Sequence, residues 1–369
     1  MYDCFNNTKG KLGFGCMRLP MKGDEVDTAQ FSQMIDSFME RGFNYFDTAH
    51  IYIGGKSETA IRECLTSRYP RESYILTDKL STWNFETEEE IRPLVDSMLE
   101  ACGVEYFDFL LMHAQRTEFY EKYLACNAYE IAYQLKREGK VKHVGISFHD
   151  TAEVLERILT EQPAVEVVQL QFNYLDYDSD RVQSRLCYEV CRRHNVPVIV
   201  MEPVRGGKLV NMPTAAKKSL EELNGGSLAS YAIRFAASFE GIEMVLSGMS
   251  NVEQMEDNLS YMADFKPLDE REMAAVWKTR DVLVSSEFIP CTACEYCTPG
   301  CVSSINIPAL FDLSNRRAAG ESGVRKEYGE TVSGGGKASD CIGCGACERS
   351  CPQKLPIRTL LERVAFEFE

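Results

Sequence analysis

At 369 residues, with 44% apolar and 26% charged side chains, the chain has a globular balance and room for one large domain plus a small one, or for two ordinary ones. Its net charge of −16 argues against nucleic acid or an anionic membrane as the main partner, because both need a basic footprint. An acidic surface suits solubility, with docking to a basic redox partner protein as the other reading. No export signal opens the sequence and no apolar run approaches the ~20 residues that span a bilayer, so a cytoplasmic setting is expected. There, fifteen cysteines suggest metal binding before disulfides.

In chain order, short apolar strands alternate with amphipathic helices. Strands are predicted at Lys11–Cys16, Phe43–Thr48, Tyr74–Lys79, Phe107–His113, His143–Phe148, Glu166–Asn173, Val196–Glu202 and Glu243–Gly248. Helices are predicted at Thr28–Arg41, Ser57–Ser67, Thr87–Cys102, Thr117–Glu138, Thr151–Leu159, Asp180–His194, Ser227–Phe239 and Asn251–Met262, several behind good N-caps. Eight such units call for an α/β fold, a (β/α)₈ TIM barrel. Periodicity alone leaves a doubly wound open sheet as the alternative, although no G-x-G-x-x-G follows the first strand. The barrel is expected over 1–265. A small C-terminal domain over 266–369 opens with a helix at Leu268–Val284. Further on come a helix at Pro308–Arg317, a loop at Glu321–Ser339 loosest at Gly334-Gly335-Gly336, and a short helix at Ile357–Phe366.

Eight cysteines of that domain fall in two runs. Cys291-x₂-Cys294-x₂-Cys297-x₃-Cys301 is followed by Cys341-x₂-Cys344-x₂-Cys347-x₃-Cys351-Pro352. Steps of x₂ let a tight loop wrap three thiolates around one corner of a cubane, while the fourth cysteine leaves to ligate the other cluster. Two [4Fe–4S] clusters are therefore expected, one on Cys291, Cys294, Cys297 and Cys351, the other on Cys341, Cys344, Cys347 and Cys301. The segment resembles bacterial two-cluster ferredoxins over about 65 residues, although Val302 stands where proline follows Cys351 in the second run. Zinc on paired C-x₂-C hooks is the alternative. The remaining cysteines read as small buried hydrophobes, Cys187 and Cys191 standing one helical turn apart.

Within the barrel, Phe46-Asp47-Thr48-Ala49-His50-Ile51-Tyr52 with Ser57-Glu58, Lys79 closing the third strand and His113 closing the fourth are similar to the aldo-keto reductase family from about Lys11 to Met262. The resemblance implies a catalytic set of Asp47, Tyr52, Lys79 and His113. Hydride delivery to a carbonyl carbon builds charge on oxygen, and a tyrosine near pKa ~10 needs a cation beside it to act as the acid. The resemblance further implies that Ser147 and Gln169 hold a nicotinamide carboxamide. Pro203, Arg205, Gly206, Gly207 and Lys208 would lie along the pyrophosphate, and Ser247, Gly248, Gln254 and Asn258 on the adenine side. Phe148 stands where the family often has Asn. No Lys or Arg occurs between Val245 and Ala263 to grip a 2′-phosphate, so NADP(H) preference is in doubt and NAD(H) comes forward.

The implied activity is reduction of a small carbonyl, or oxidation of an alcohol, by an iron–sulfur oxidoreductase. The alternative is a ferredoxin-like electron-transfer protein whose barrel is a docking platform. Hydride carries two electrons and a cubane passes one. No recognised flavin motif is visible, although a flavin could still bind the barrel mouth.

Overall fold

The computed structural model describes residues 3–285, 288–318 and 320–369. Eight parallel strands close into a barrel: β1 (Leu12–Gly15), β4 (Tyr45–Asp47), β5 (Ile75–Leu80), β6 (Phe107–Gln115), β7 (Val141–Phe148), β8 (Val167–Gln171), β9 (Val198–Met201) and β10 (Ile242–Ser247). Between β1 and the first helix, α1 (Thr28–Glu40), lies a two-stranded hairpin, β2 (Met21–Lys22) and β3 (Glu25–Val26), too short to leave a sequence pattern. The open-sheet alternative is thereby excluded. The chain forms two compact units: residues up to Pro203 together with Ala229–Asp269, and Val204–Leu228 together with Glu270–Glu369. The segment leaving β9 thus groups with the C-terminal part.

In the first unit the barrel floor is apolar. Tyr45, Ile75, Phe109, Leu111, Val167, Ile199, Met244 and Leu246 point inward, and Phe5 from the N-terminal segment packs beneath them, 5.4 Å from the Phe109 ring. The period of two then carries inward positions from apolar to polar going up β4 and β8: Tyr45 to Asp47, and Val167 to Gln169. Gly145 on β7 is where the barrel narrows, since a Cβ there would stand 2.4 Å from Val167 Cγ1 and 2.6 Å from its carbonyl oxygen.

Three helices depart from expectation. The span 117–138 is two helices, α4 (Thr117–Ala125) and α5 (Ala128–Arg137), because Asn127 takes a left-handed conformation (φ 53) between them. Helix α2 (Lys56–Ile61) runs into a π turn at Arg62–Thr66, a one-residue insertion invisible to periodicity. The helix predicted from Asp180 begins only at Ser184, after Gln183 turns left-handed (φ 54).

The second unit has its own core, in which Ile305, Leu310, Phe311, Leu361, Val364 and Phe368 are buried. Two helices here were not expected: α8 (Thr214–Glu221), and α13 (Val324–Val332), which occupies the predicted loop. Only Val324 and Tyr328 of α13 are buried, a single i,i+4 pair among polar residues. Of the glycine run, Gly334 stands in open space while Gly335 and Gly336 are crowded. Gly336 bridges Ile305, and a Cβ there would meet the Ser303 carbonyl oxygen at 2.1 Å, so glycine serves close backbone approach.

One carboxylate ties helix α5, β7 and the approach to β8 together. Glu166, just before β8, receives His143 Nδ1 at 2.8 Å, Lys136 Nζ at 2.5 Å and the Val144 N–H at 3.0 Å. Burial raises its pKa, but these three donors outweigh burial and bring it down to about 2. The folded value lies below the unfolded one, so this stabilisation is present above pH ~4.5 and is lost as pH falls toward about 2. Melting curves between pH 6 and 3 should fall less steeply with pH for Glu166→Gln than for the parent; parallel slopes would refute this.

Candidate functional site

The four tetrad residues meet at the C-terminal end of the barrel strands. Asp47 ends β4, Lys79 lies in β5, His113 in β6, and Tyr52 follows β4 on a short turn. Lys79 is fully buried and its Nζ donates to three oxygens: Asp47 Oδ1 at 2.6 Å, Thr48 O at 2.7 Å and Tyr52 Oη at 3.2 Å. Asp47 is held from its other side by Gln169 Nε2 at 2.9 Å. An ammonium has three donors and no acceptor, so all three are spent and the Tyr52 oxygen must accept. Its own hydrogen therefore points away from Lys79.

Charge states follow from burial and neighbours. Burial pushes the Tyr52 phenol well above its usual value and Asp47 adds to this. Arg18 works in the opposite direction and Glu202 in the same. Tyr52 is thus protonated across neutral pH, as an acid must be. Burial raises Asp47 too, against the lowering effect of Lys79 and Gln169. Burial, with Lys79 and His149 beside it, holds His113 well below the usual imidazole value, so the ring is neutral. Ser81 Oγ sits 2.6 Å from His113 Nδ1, and Trp83 stands edge-on to the ring at 5.8 Å between centroids. In the tautomer in which the Ser81 hydroxyl donates to Nδ1, the imidazole proton resides on Nε2, which is then a donor.

Sequence reading missed Ser81 and the Thr48 carbonyl. Ser81 stands two residues beyond Lys79 on the same strand face, so strand alternation was the signal that could have found it. The carbonyl had none. A second buried cluster also went unread: Asp78 and Glu58 lie side by side with Cys102, and Glu58 Oε2 receives His50 Nδ1 at 2.9 Å. Burial, then Glu58, pushes Asp78 well above the carboxylate range.

Of the residues proposed for a nicotinamide dinucleotide in the first unit, Ser147, Gln169, Ser247 and Asn258 are buried, Gly248 is half-buried and Gln254 is exposed. Ser147 Oγ accepts the Ala114 N–H at 2.8 Å, leaving its own hydrogen to donate. Gln169 commits its amide nitrogen to Asp47 and keeps its oxygen as an acceptor. Asn258 is 4% exposed and donates to the Gln254 carbonyl, while its Oδ1 has no partner among the described residues. A buried orphan acceptor of that kind suits an exocyclic amine. Ser247 is buried, Gln254 Oε1 accepts the Ser250 N–H at 2.8 Å, and a Cβ on Gly248 would meet nothing closer than 3.8 Å. These residues fit the cofactor. Pro203 closes the first unit, whereas Arg205, Gly206, Gly207 and Lys208 belong to the second. There Lys208 pairs with Asp312. Gly206 (φ +61) packs so closely that a Cβ would lie 2.1 Å from the Thr292 carbonyl oxygen. The Asp312 carboxylate takes up part of the Lys208 charge that a phosphate would otherwise meet.

The cysteines of the second unit gather in two groups that cross the two runs. Cys301, Cys341, Cys344 and Cys347 line one pocket. Cys351 lies instead with the first run: burial pushes Cys297 up to about 12, and Cys294, Cys291 and Cys351 crowded around it add to that rise. Four soft sulfur donors suit a cubane, and each group supplies four.

Comparison with known proteins agrees with this architecture. The family described as "Aldo/keto reductase family" matches residues 11–281, and "4Fe-4S dicluster domain" matches 290–355. The uncharacterized oxidoreductase YqkF of Bacillus subtilis is 24% identical over 297 residues, covering 72% of this chain and 91% of its own. L-galactose dehydrogenase of Arabidopsis thaliana is 25% identical over 279 residues, 70% of this chain and 85% of its own. The solved aldo-keto reductase AKR11C1 from Bacillus halodurans superposes with a TM-score of 0.59 at 22% identity, over 73% of this chain and 91% of that one, a likeness of fold. From barrel closure, strand-end chemistry and a match over most of its length, the chain belongs to the aldo/keto reductase family and carries a 4Fe–4S dicluster domain at its C-terminus.

Proposed function

We propose that the protein reduces a small carbonyl compound, or oxidises the corresponding alcohol, with a nicotinamide dinucleotide, and that its C-terminal unit binds two [4Fe–4S] clusters that pass electrons. One observation carries the catalytic half: Lys79, fully buried, bonded at once to Asp47, Thr48 and Tyr52. A bound nicotinamide supplies hydride. Tyr52 delivers its proton to the oxygen that gains charge, and Lys79 at 3.2 Å stabilises the phenolate left behind. Asp47 holds Lys79 in place. Neutral His113, steadied by Ser81, donates to the same oxygen and aligns it. Ser147 and Gln169 would bind the carboxamide, with Ser247, Gly248, Gln254 and Asn258 on the adenine side.

NAD(H) is the proposed cofactor, since residues 245–263 hold no Lys or Arg to pair a 2′-phosphate. A charge-assisted phosphate contact contributes about 1.5–3 kcal/mol, so without one NADPH should lose the roughly tenfold or greater advantage that such a contact gives and bind no more tightly than NADH. Titration of the anaerobically purified chain with both nucleotides, followed by nicotinamide fluorescence and cluster absorbance, tests this. Binding of neither nucleotide would overturn the carbonyl-reductase reading, and tighter NADPH binding the cofactor choice. No helix among the described residues is long and apolar enough to cross a membrane.

A further inference from the structure

The pocket lined by Cys301, Cys341, Cys344 and Cys347 opens at the surface of the second unit. Cys344 is exposed there although Cys347 is buried, whereas the other group has no exposed member, Cys291 and Cys294 being half-buried and Cys297 and Cys351 buried. Two large apolar side chains of that pocket are left in solvent, Val302 at 72% and Ile342 at 69% exposure. Each directly follows one of its cysteines, Cys301 or Cys341. Neither packs into the core that holds Ile305, Leu361 and Val364. Exposed apolar groups beside a polar rim mark contact surfaces.

The rim is basic in a chain whose net charge is −16. From Cys341 to Arg358 there are three cations, Arg349, Lys354 and Arg358, against one anion, Glu348. Two of the cations are fixed over the cysteine loop. Arg349 Nη1 donates to the Cys344 carbonyl at 3.3 Å, and Arg358 Nη1 reaches the Gly343 carbonyl at 3.5 Å while also pairing with Glu348 at 2.9 Å. Both guanidinium groups stand within 4.0 Å of where a Gly345 Cβ would be. Asp340, just before the loop, adds the nearest further anion and receives the Lys337 N–H through its side chain.

We propose that this face, Val302 and Ile342 framed by Arg349 and Arg358, docks a small acidic one-electron carrier protein, and that electrons enter the protein through the cluster of Cys301, Cys341, Cys344 and Cys347. It rests on the two-cluster reading above. The local charge selects an acidic partner, opposite in sign to the basic one that the whole-chain charge suggests. One electron passes from the reduced carrier to the oxidised cluster, [4Fe–4S]²⁺ becoming [4Fe–4S]¹⁺; no atom moves and no bond breaks. A small patch with a charged rim is what transient electron-transfer encounters use.

The test uses the full, cluster-loaded chain under anaerobic conditions with a reduced acidic ferredoxin as the probe. Cluster bleaching is followed by stopped flow at rising salt. The second-order rate should fall steeply between ~20 and ~300 mM salt, because the rim charges are exposed. Arg349→Glu and Ile342→Asp should each lower it at least tenfold at low salt, with Val302→Ser as a milder companion. Iron content and photoreduction by a small mediator should stay at parental values in all three, which separates lost docking from lost cluster. Intact clusters reduced by the ferredoxin at the parental rate in both main variants would overturn the docking face alone. So would a rate insensitive to salt. Parental protein without iron would overturn the docking face and the cluster reading together.

Discussion

Tyr52→Phe should lower turnover about 10²- to 10⁴-fold, the range that a positioned general acid contributes, while NADH affinity and iron content stay unchanged. The phenol oxygen touches Lys79 at 3.2 Å, and Lys79 keeps Asp47 Oδ1 and the Thr48 carbonyl when that oxygen is removed. No charge is left unpaired, so the fold has no reason to suffer. The deletion acts only where the proton moves. Burial, with Asp47 adding to it, raises the Tyr52 pKa. Burial with Lys79 and His149 lowers that of His113. Neither group then changes charge between about pH 7 and 9, and the chemical step of the parent should be flat across that window. Single-turnover hydride transfer in both proteins, with nicotinamide binding measured by fluorescence, checks each part. Equal single-turnover rates would remove Tyr52 from the chemistry and with it the role assigned to Lys79.

What could be read from the sequence divides along a physical line. The eight barrel strands were legible because each is buried on both faces and reads as a short apolar run. The segments around Asp47, Tyr52, Lys79 and His113 were legible through their likeness to a family, and the barrel brings the four side chains together near its C-terminal strand ends. What set the local path of the chain was not. Asn127 and Gln183 turn left-handed through backbone choices that carry no apolar period, so one helix broke and another started late. The π turn at Arg62–Thr66 adds a residue without changing composition. Helix α13 buries only Val324 and Tyr328, and two residues in nine look like chance. Gly335 and Gly336 misled for a different reason. Glycine marks either freedom or crowding, and only the Ser303 carbonyl at 2.1 Å from a hypothetical Gly336 Cβ decides for crowding. Ser81 fell between the two cases: its strand position was visible, but its bond to His113 is a distance of 2.6 Å that no pattern encodes.

The crossing of the two cysteine runs yields the sharpest remaining test. Cys351 follows Cys347 by four residues, yet it crowds Cys297, while Cys301 lines the pocket of Cys341, Cys344 and Cys347. If ligation follows this grouping, single replacements Cys301→Ala and Cys351→Ala should each cost about half of the iron, and pairs of replacements tell the two arrangements apart. Cys301→Ala with Cys341→Ala removes two ligands of one cluster and should leave about half of the iron. Cys301→Ala with Cys291→Ala strikes both clusters and should leave little. Ligation within each run would reverse the two results. The second pair should also unfold the C-terminal unit more readily, because the core that holds Ile305, Leu310 and Phe311 includes Cys297, Cys347 and Cys351, and metal held by a core's own side chains adds its binding free energy to folding. Iron and sulfide per chain, read beside the electron paramagnetic resonance of the reduced protein and a protease-susceptibility time course, distinguishes the two arrangements without any assay of turnover.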